Sequence, residues 1–155
     1  MSMFPPPASD CTLVQAPLKS AVVLPRLTHP FLFQRLPCGF PLPGDDVTES
    51  RLDLSTLMIQ NTNATFFFRV QGDSMAGIGL VEGSYLVVDR SIPPRSGHVV
   101  VAIVNSEYTV KRLVRLGQVL ELHSENPAYA PIVFVEGDEL TVWGVVTGWA
   151  HRLTF

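Results

Sequence analysis

Ser74 lies in Gly72-Asp73-Ser74-Met75, and Lys111 lies in Thr109-Val110-Lys111-Arg112, 37 positions further along the chain. A serine hydroxyl and a lysine amine can form a nucleophile–base pair in which the lysine replaces the histidine and aspartate of the commoner triad. Gly72 before the serine, and Gly77 and Gly79 after it, permit a sharp turn and close approach of a neighbouring backbone. A helical turn starting at Asp73 or Ser74 would free N–H groups that point toward developing negative charge and serve as an oxyanion hole. Taken alone, the tetrapeptide more commonly describes a capping serine in a surface turn.

Lys111 strengthens the catalytic reading. A lysine in water titrates near ~10.4 and is no base at neutral pH. Burial disfavours the charged form of any amine. Strand alternation puts Lys111 on one face with Thr109 and Leu113, between Val110 and Val114. An apolar strand beside a closed cleft would suit a base, whereas an exposed strand edge is the ordinary setting of a lysine. The local basic group Lys111, Arg112 and Arg115 is expected to be such an edge rather than a nucleic-acid patch.

The other reactive side chains fit less well. His98 follows a Ser-Gly turn and His123 ends a strand-like run, and neither has an acid at a telling spacing. His29 and His151 stand apart. A Ser–His–Asp arrangement therefore ranks below Ser–Lys. The two cysteines, Cys11 and Cys38, and four histidines show no CxxC or HxxxH spacing, so neither a metal nor a cofactor is expected. Cys38 has no neighbour that would activate it as a nucleophile. Its interest is different. Leu36-Pro37-Cys38-Gly39-Phe40-Pro41 is an extended segment, and a peptide bond lying extended in a cleft is readily cut when glycine follows it. A plain linker is the alternative.

These residues need a scaffold. The 155 residues suit one domain with an added arm. With 46% hydrophobic and 16% charged residues, the chain can bury a core and is not disordered by composition. Nine of the 13 prolines fall within residues 1–50. Each removes a backbone donor, which argues against long helices and central strands there and for an extended arm. Asp53 can cap a short helix with Leu54, Leu57 and Met58 on one face. Asn61-Thr62-Asn63 reads as a turn. Strands are expected over 66–70, 85–89, 98–104, 108–114, 119–123 and 140–146. Asn105-Ser106 and Gly117 are the turns between three of them.

The net charge of −3 gives no whole-chain footprint for DNA. No run reaches the about 18 apolar residues of a membrane span, and the first ten residues lack the charge pattern of a signal peptide. The cytoplasm is the expected compartment. Two cysteines make no disulfide scaffold.

The set Cys38-Gly39-Phe40-Pro41, Arg51-Leu52-Asp53-Leu54, Ala64-Thr65, Gly72-Asp73-Ser74-Met75, Tyr108 to Leu113, Asn126 to Ile132 and Trp143 to Thr147 resembles the UmuD branch of the LexA-type self-cleaving serine peptidases. The likeness covers roughly residues 36–150. It implies Ser74 as nucleophile, Lys111 as general base and a cut at Cys38–Gly39. It implies a mostly β, compact peptidase domain of short strands at the C-terminal side. Residues 1–38 would be the arm removed by self-cleavage. Residues 39–155 would be the peptidase domain, in which 39–62 form the residual arm and a short helix. It further implies stimulation by a RecA filament on single-stranded DNA. The trimmed homodimer would serve a Y-family, UmuC-like polymerase subunit in error-prone translesion synthesis.

Other readings stay open. A non-cleaving polymerase-binding module would carry the same residues without turnover. A truncated repressor would need a DNA-binding helix-turn-helix, for which residues 1–37 are too proline-broken. A signal-peptidase role would need a membrane anchor, which the sequence lacks.

Overall fold

A computed structural model describes residues 18–19, 28–32, 38–39, 49–134 and 138–153. The chain divides into two compact units, residues 22–60 on one hand and residues 1–21 with 61–155 on the other.

In the 22–60 unit, β2 (His29–Leu32) pairs antiparallel with β3 (Glu49–Leu52), placing Pro30 opposite Arg51. A proline is tolerated there because a two-stranded ribbon has open outer edges. The Arg51 guanidinium donates to the Thr28 hydroxyl and carbonyl at 2.8 and 2.9 Å. Helix α1 (Leu54–Met58) starts where the sequence predicts, at Asp53. The Asp53 carboxylate accepts the Ser55 and Thr56 N–H groups and the Thr56 hydroxyl. The Thr56 hydroxyl, foremost among these donors, holds the Asp53 carboxyl below its ordinary value. The expected apolar face is not buried, for Leu54 and Leu57 are exposed and only Met58 is half-covered. One and a half turns are too short to present a continuous stripe to a core.

The larger unit is one antiparallel sheet. Its strands are β1 (Leu18–Lys19), β4 (Thr65–Arg69), β5 (Tyr85–Asp89), β6 (Val99–Val104), β7 (Glu107–Leu116), β8 (Val119–His123), β9 (Ile132–Phe134) and β10 (Leu140–Ala150). Their spatial order is β1-β4-β5-β10-β6-β7-β8-β9. The mostly β class expected from the sequence is what forms.

Tight turns set the registers. Asn105 and Ser106 both take positive φ, +49° and +70°, as a two-residue hairpin turn between right-twisted strands requires. β10 lies between β5 and β6 and bends at register shifts between Val142 and Gly144 and between Val146 and Gly148. β6 is buried on both faces, which is why its sequence is a continuous β-branched run rather than an alternation. Val101 joins Phe68, Val70, Met75, Leu80, Leu86, Val88 and Val110 in one core cluster. Val100 and Ala102 join Leu113, Leu122 and Val145 in the other.

The connection from β4 to β5, residues 70–84, carries Ser74. Its base is closed by Val70 N–H to the Ser84 carbonyl and Gly83 N–H to the Val70 carbonyl, both 2.9 Å. Met75 and Leu80, each with no exposed surface, fasten it to the core. Gly72 turns it at φ +87°. A 3-10 turn over Ala76–Ile78 follows, and there Gly77 N–H reaches the Glu125 carbonyl at 2.7 Å.

Leu86→Ala removes a fully buried side chain from the larger core cluster and is expected to cost about 2–5 kcal/mol, read as a lowered urea midpoint. Gly77→Ala acts through contact instead. Its added Cβ would lie 2.2 Å from the Glu125 carbonyl oxygen, a backbone atom with little room to yield. The expected loss is about 1–3 kcal/mol, and unchanged thermal unfolding would refute the contact.

Candidate active site

β7 is flanked on both sides, by β6 with Val100 opposite Lys111 and by β8 with His123 opposite Arg112. It is therefore no sheet edge, and the expectation of an ordinary edge for Lys111, Arg112 and Arg115 is corrected. Lys111 is 1% exposed. Directly opposed residues share a face, so its stem runs beside Val100 with Leu113 two residues on. Arg112 forms an ion pair with Glu125, and Arg115 is exposed on the outer end of the strand.

Ser74 has no exposed surface, and Lys111 Nζ donates to its Oγ at 2.8 Å. Two residues 37 apart in sequence thus meet inside the protein. The Tyr129 ring centroid lies 5.5 Å from Nζ, within cation–π range. Among the described residues, the buried hydroxyls of Thr109 and Ser124 have no hydrogen-bond partner.

The turn after Ser74 differs from expectation. It starts at Ala76, with Met75 as its capping residue, rather than at Asp73 or Ser74. The amides of Ala76, Gly77 and Ile78 are spent on the carbonyls of Asp73, Glu125 and Met75. The 3-10 bonds of the turn take the Ala76 and Ile78 amides, and the segment after β8 takes that of Gly77. Among the described residues, the amides of Ser74 and Met75 make no hydrogen bond. These two sit beside the hydroxyl and are free to face an acceptor.

The segment after β8 grips the serine loop, and sequence reasoning assigned it no role. Glu125 N–H donates to the Ser74 carbonyl at 2.8 Å. Asn126 Nδ2 donates to the Asp73 carbonyl at 3.2 Å, and the Tyr129 hydroxyl donates to the Asp73 carboxylate. The turn residues Asn126-Pro127 after a strand were the available signal.

Histidine is not at this hydroxyl. His123 contacts Glu121, two positions back on the same strand face, so an acid does neighbour it, contrary to expectation. His98 Nδ1 accepts the Arg95 N–H at 3.2 Å. His151 Nδ1 lies 3.2 Å from Ser84 Oγ, but among the described residues no carboxylate contacts His151. Cys38 and Gly39 are both exposed, and Cys38 is a free thiol. Cys11 lies outside the described residues. Among the described residues, no helix is long and apolar enough to cross a membrane.

Comparison with known proteins gives the family. The family model described as Peptidase S24-like matches residues 30–147. The chain is 44% identical over 125 residues to protein SamA of Salmonella typhimurium, covering 81% of this chain and 86% of SamA. It is 35% identical over 120 residues to protein MucA of Escherichia coli, covering 76% of this chain and 81% of MucA. It is 35% identical over 136 residues to the LexA repressor of Bordetella pertussis, covering 83% of this chain and 62% of that repressor. SamA and MucA are UmuD homologues, and the family supports a serine peptidase. With a match over most of its length and relatives of this closeness, the chain belongs to the Peptidase S24-like family, on its UmuD-like side.

Proposed function

We propose that this chain is a self-cleaving peptidase in which Ser74 is the nucleophile, Lys111 the general base and Cys38–Gly39 the bond cut. The contact of Lys111 Nζ with Ser74 Oγ at 2.8 Å, both buried, carries the reading. A hydroxyl attacks only when a base takes its proton, and no other base of this chain meets Ser74 among the described residues.

In the proposed reaction, the neutral Lys111 amine removes the Ser74 proton as Oγ bonds to the Cys38 carbonyl carbon. Negative charge moves onto the carbonyl oxygen, and the amides of Ser74 and Met75, which make no hydrogen bond among the described residues, would receive it. The Lys111 ammonium then returns a proton to the Gly39 nitrogen, and the C–N bond breaks. The fragment beginning at Gly39 leaves with a free amine. Water, deprotonated by Lys111, hydrolyses the Cys38 ester and restores Ser74. A tethered substrate has a high effective concentration, so a slow peptidase suffices. The bond adds to the cleft as an extended strand, from the same subunit or its partner.

The biological setting follows the likeness to UmuD. A RecA filament on single-stranded DNA stimulates the cut after DNA damage, in the cytoplasm. Cleavage removes residues 1–38 and leaves residues 39–155 as a homodimer. That dimer joins a UmuC-like, Y-family polymerase subunit for error-prone translesion synthesis. The relatives SamA and MucA support this setting, and the net charge of −3 favours protein partners over direct, sequence-specific DNA binding.

Intact-mass spectrometry after incubation across a pH series tests the chemistry. Only an uncharged amine accepts the proton, so a fragment starting at Gly39 accumulates faster at alkaline pH. Ser74→Ala and Lys111→Ala should each slow its appearance by at least about 1,000-fold. An intact wild-type chain at alkaline pH would leave a non-cleaving binding module, and cleavage by Ser74→Ala would remove the proposed nucleophile.

A further inference from the structure

Lys111 and Ser74 are connected by two routes. The first is their own hydrogen bond. The second begins at Arg112, the next residue on β7. Its guanidinium Nε donates to the Glu125 carboxylate, and its other arm donates to the Gly97 carbonyl. The backbone of Glu125 then holds the serine loop at both ends of its turn. Glu125 N–H binds the Ser74 carbonyl at 2.8 Å, and the Glu125 carbonyl binds Gly77 N–H at 2.7 Å. The four residues Lys111, Arg112, Glu125 and Ser74 therefore form a closed ring of covalent and hydrogen-bonded links.

We infer that Arg112 and Glu125 are positioning residues, a clamp that fixes the Ser74 loop to the strand carrying Lys111. This inference rests on the proposed self-cleavage and extends it to residues that touch neither substrate nor reacting atom. Their side chains are about two-thirds to three-quarters covered, at 32% and 27% exposed. An ion pair this close to solvent adds little to stability. Its location gives it another effect. Residues 124–126 follow the end of β8 and are not part of a strand, so the sheet alone does not fix Glu125. With the carboxylate released, the segment can shift and carry Ser74 with it. A displacement near 1 Å between nucleophile and base is enough to cost about 100-fold in rate.

The test compares the full-length wild type with Arg112→Ala, Glu125→Ala, Glu125→Gln and the double alanine variant. Circular dichroism establishes that each is folded. Self-cleavage should slow about 10- to 100-fold in each single alanine variant. The double variant should be no slower than the slower single, because both substitutions break one link. Glu125→Gln keeps an acceptor for Arg112 and should stay within about threefold of wild type. Amide hydrogen exchange at Gly77 gives a readout independent of cleavage, and both alanine variants should exchange at least about tenfold faster there. Wild-type cleavage rates in folded alanine variants would overturn the clamp, as would multiplied losses in the double variant, a glutamine variant as slow as alanine, or unchanged exchange at Gly77. If the wild type itself fails to cleave, the peptidase proposal falls while exchange at Gly77 still decides the clamp.

Discussion

A lysine amine held against a serine hydroxyl with almost no access to water is the constraint around which this protein is arranged. Burying such an amine is costly unless polar groups meet it. A strand at a sheet edge would let the side chain swing out and escape that cost. β6 and β8 pair with β7 on either side, and the Ser74 loop meets the face that carries Lys111. Val100 and Leu113 line the stem, and the amine meets Ser74. Sheet and loop together thus turn an ordinary surface residue into an interior one, a context in which a lysine can act as a base.

Delivering the serine is a separate problem, solved by a loop anchored through unlike contacts. Met75 and Leu80 insert into the larger core cluster and fix the loop in depth. Gly72 at φ +87° reverses the chain before the serine. Asn126 and Tyr129 hold Asp73, and Glu125 holds the backbone on either side of Met75. Apolar anchors resist removal of the loop but tolerate sliding, since dispersion contacts are non-directional. Hydrogen bonds resist sliding because they weaken steeply with angle. Both kinds are needed to keep two atoms within hydrogen-bond distance.

Much of this was legible in the sequence because it depends on local pattern. The bounds of β5 and β8 coincide with the expected ones, and Asn105-Ser106 turns where its residue types predict. The Ser74 and Lys111 motifs pointed to each other through chemistry and family likeness. What escaped depends on distant partners. β9 is three residues long, too short for an alternation to be read, and exists because β8 offers it an edge. β2 and β3 lie in a proline-rich stretch and form only as each other's partner. The pairing of Arg112 with Glu125 spans a strand end and a turn, and no spacing rule connects them. The burial of Lys111 was visible only as one of two alternatives, because the loop that meets it comes from 37 residues away in the sequence.

The arrangement also bears on how the proposed self-cleavage would be controlled. The hydroxyl and amine are already paired at 2.8 Å, so assembling them would not be the step left to regulate. The remaining variables are the protonation of the base and the delivery of the bond. Changing the protonation alone would raise or lower the rate without specifying when to cut. In the proposed cut, delivery would depend on a partner, because the exposed Cys38–Gly39 segment would have to lose conformational freedom to lie extended in a cleft. A surface that binds the delivered state more tightly shifts the population by its difference in affinity for the two states. A preformed catalytic pair with a separately delivered substrate therefore needs no active-site rearrangement to become switchable.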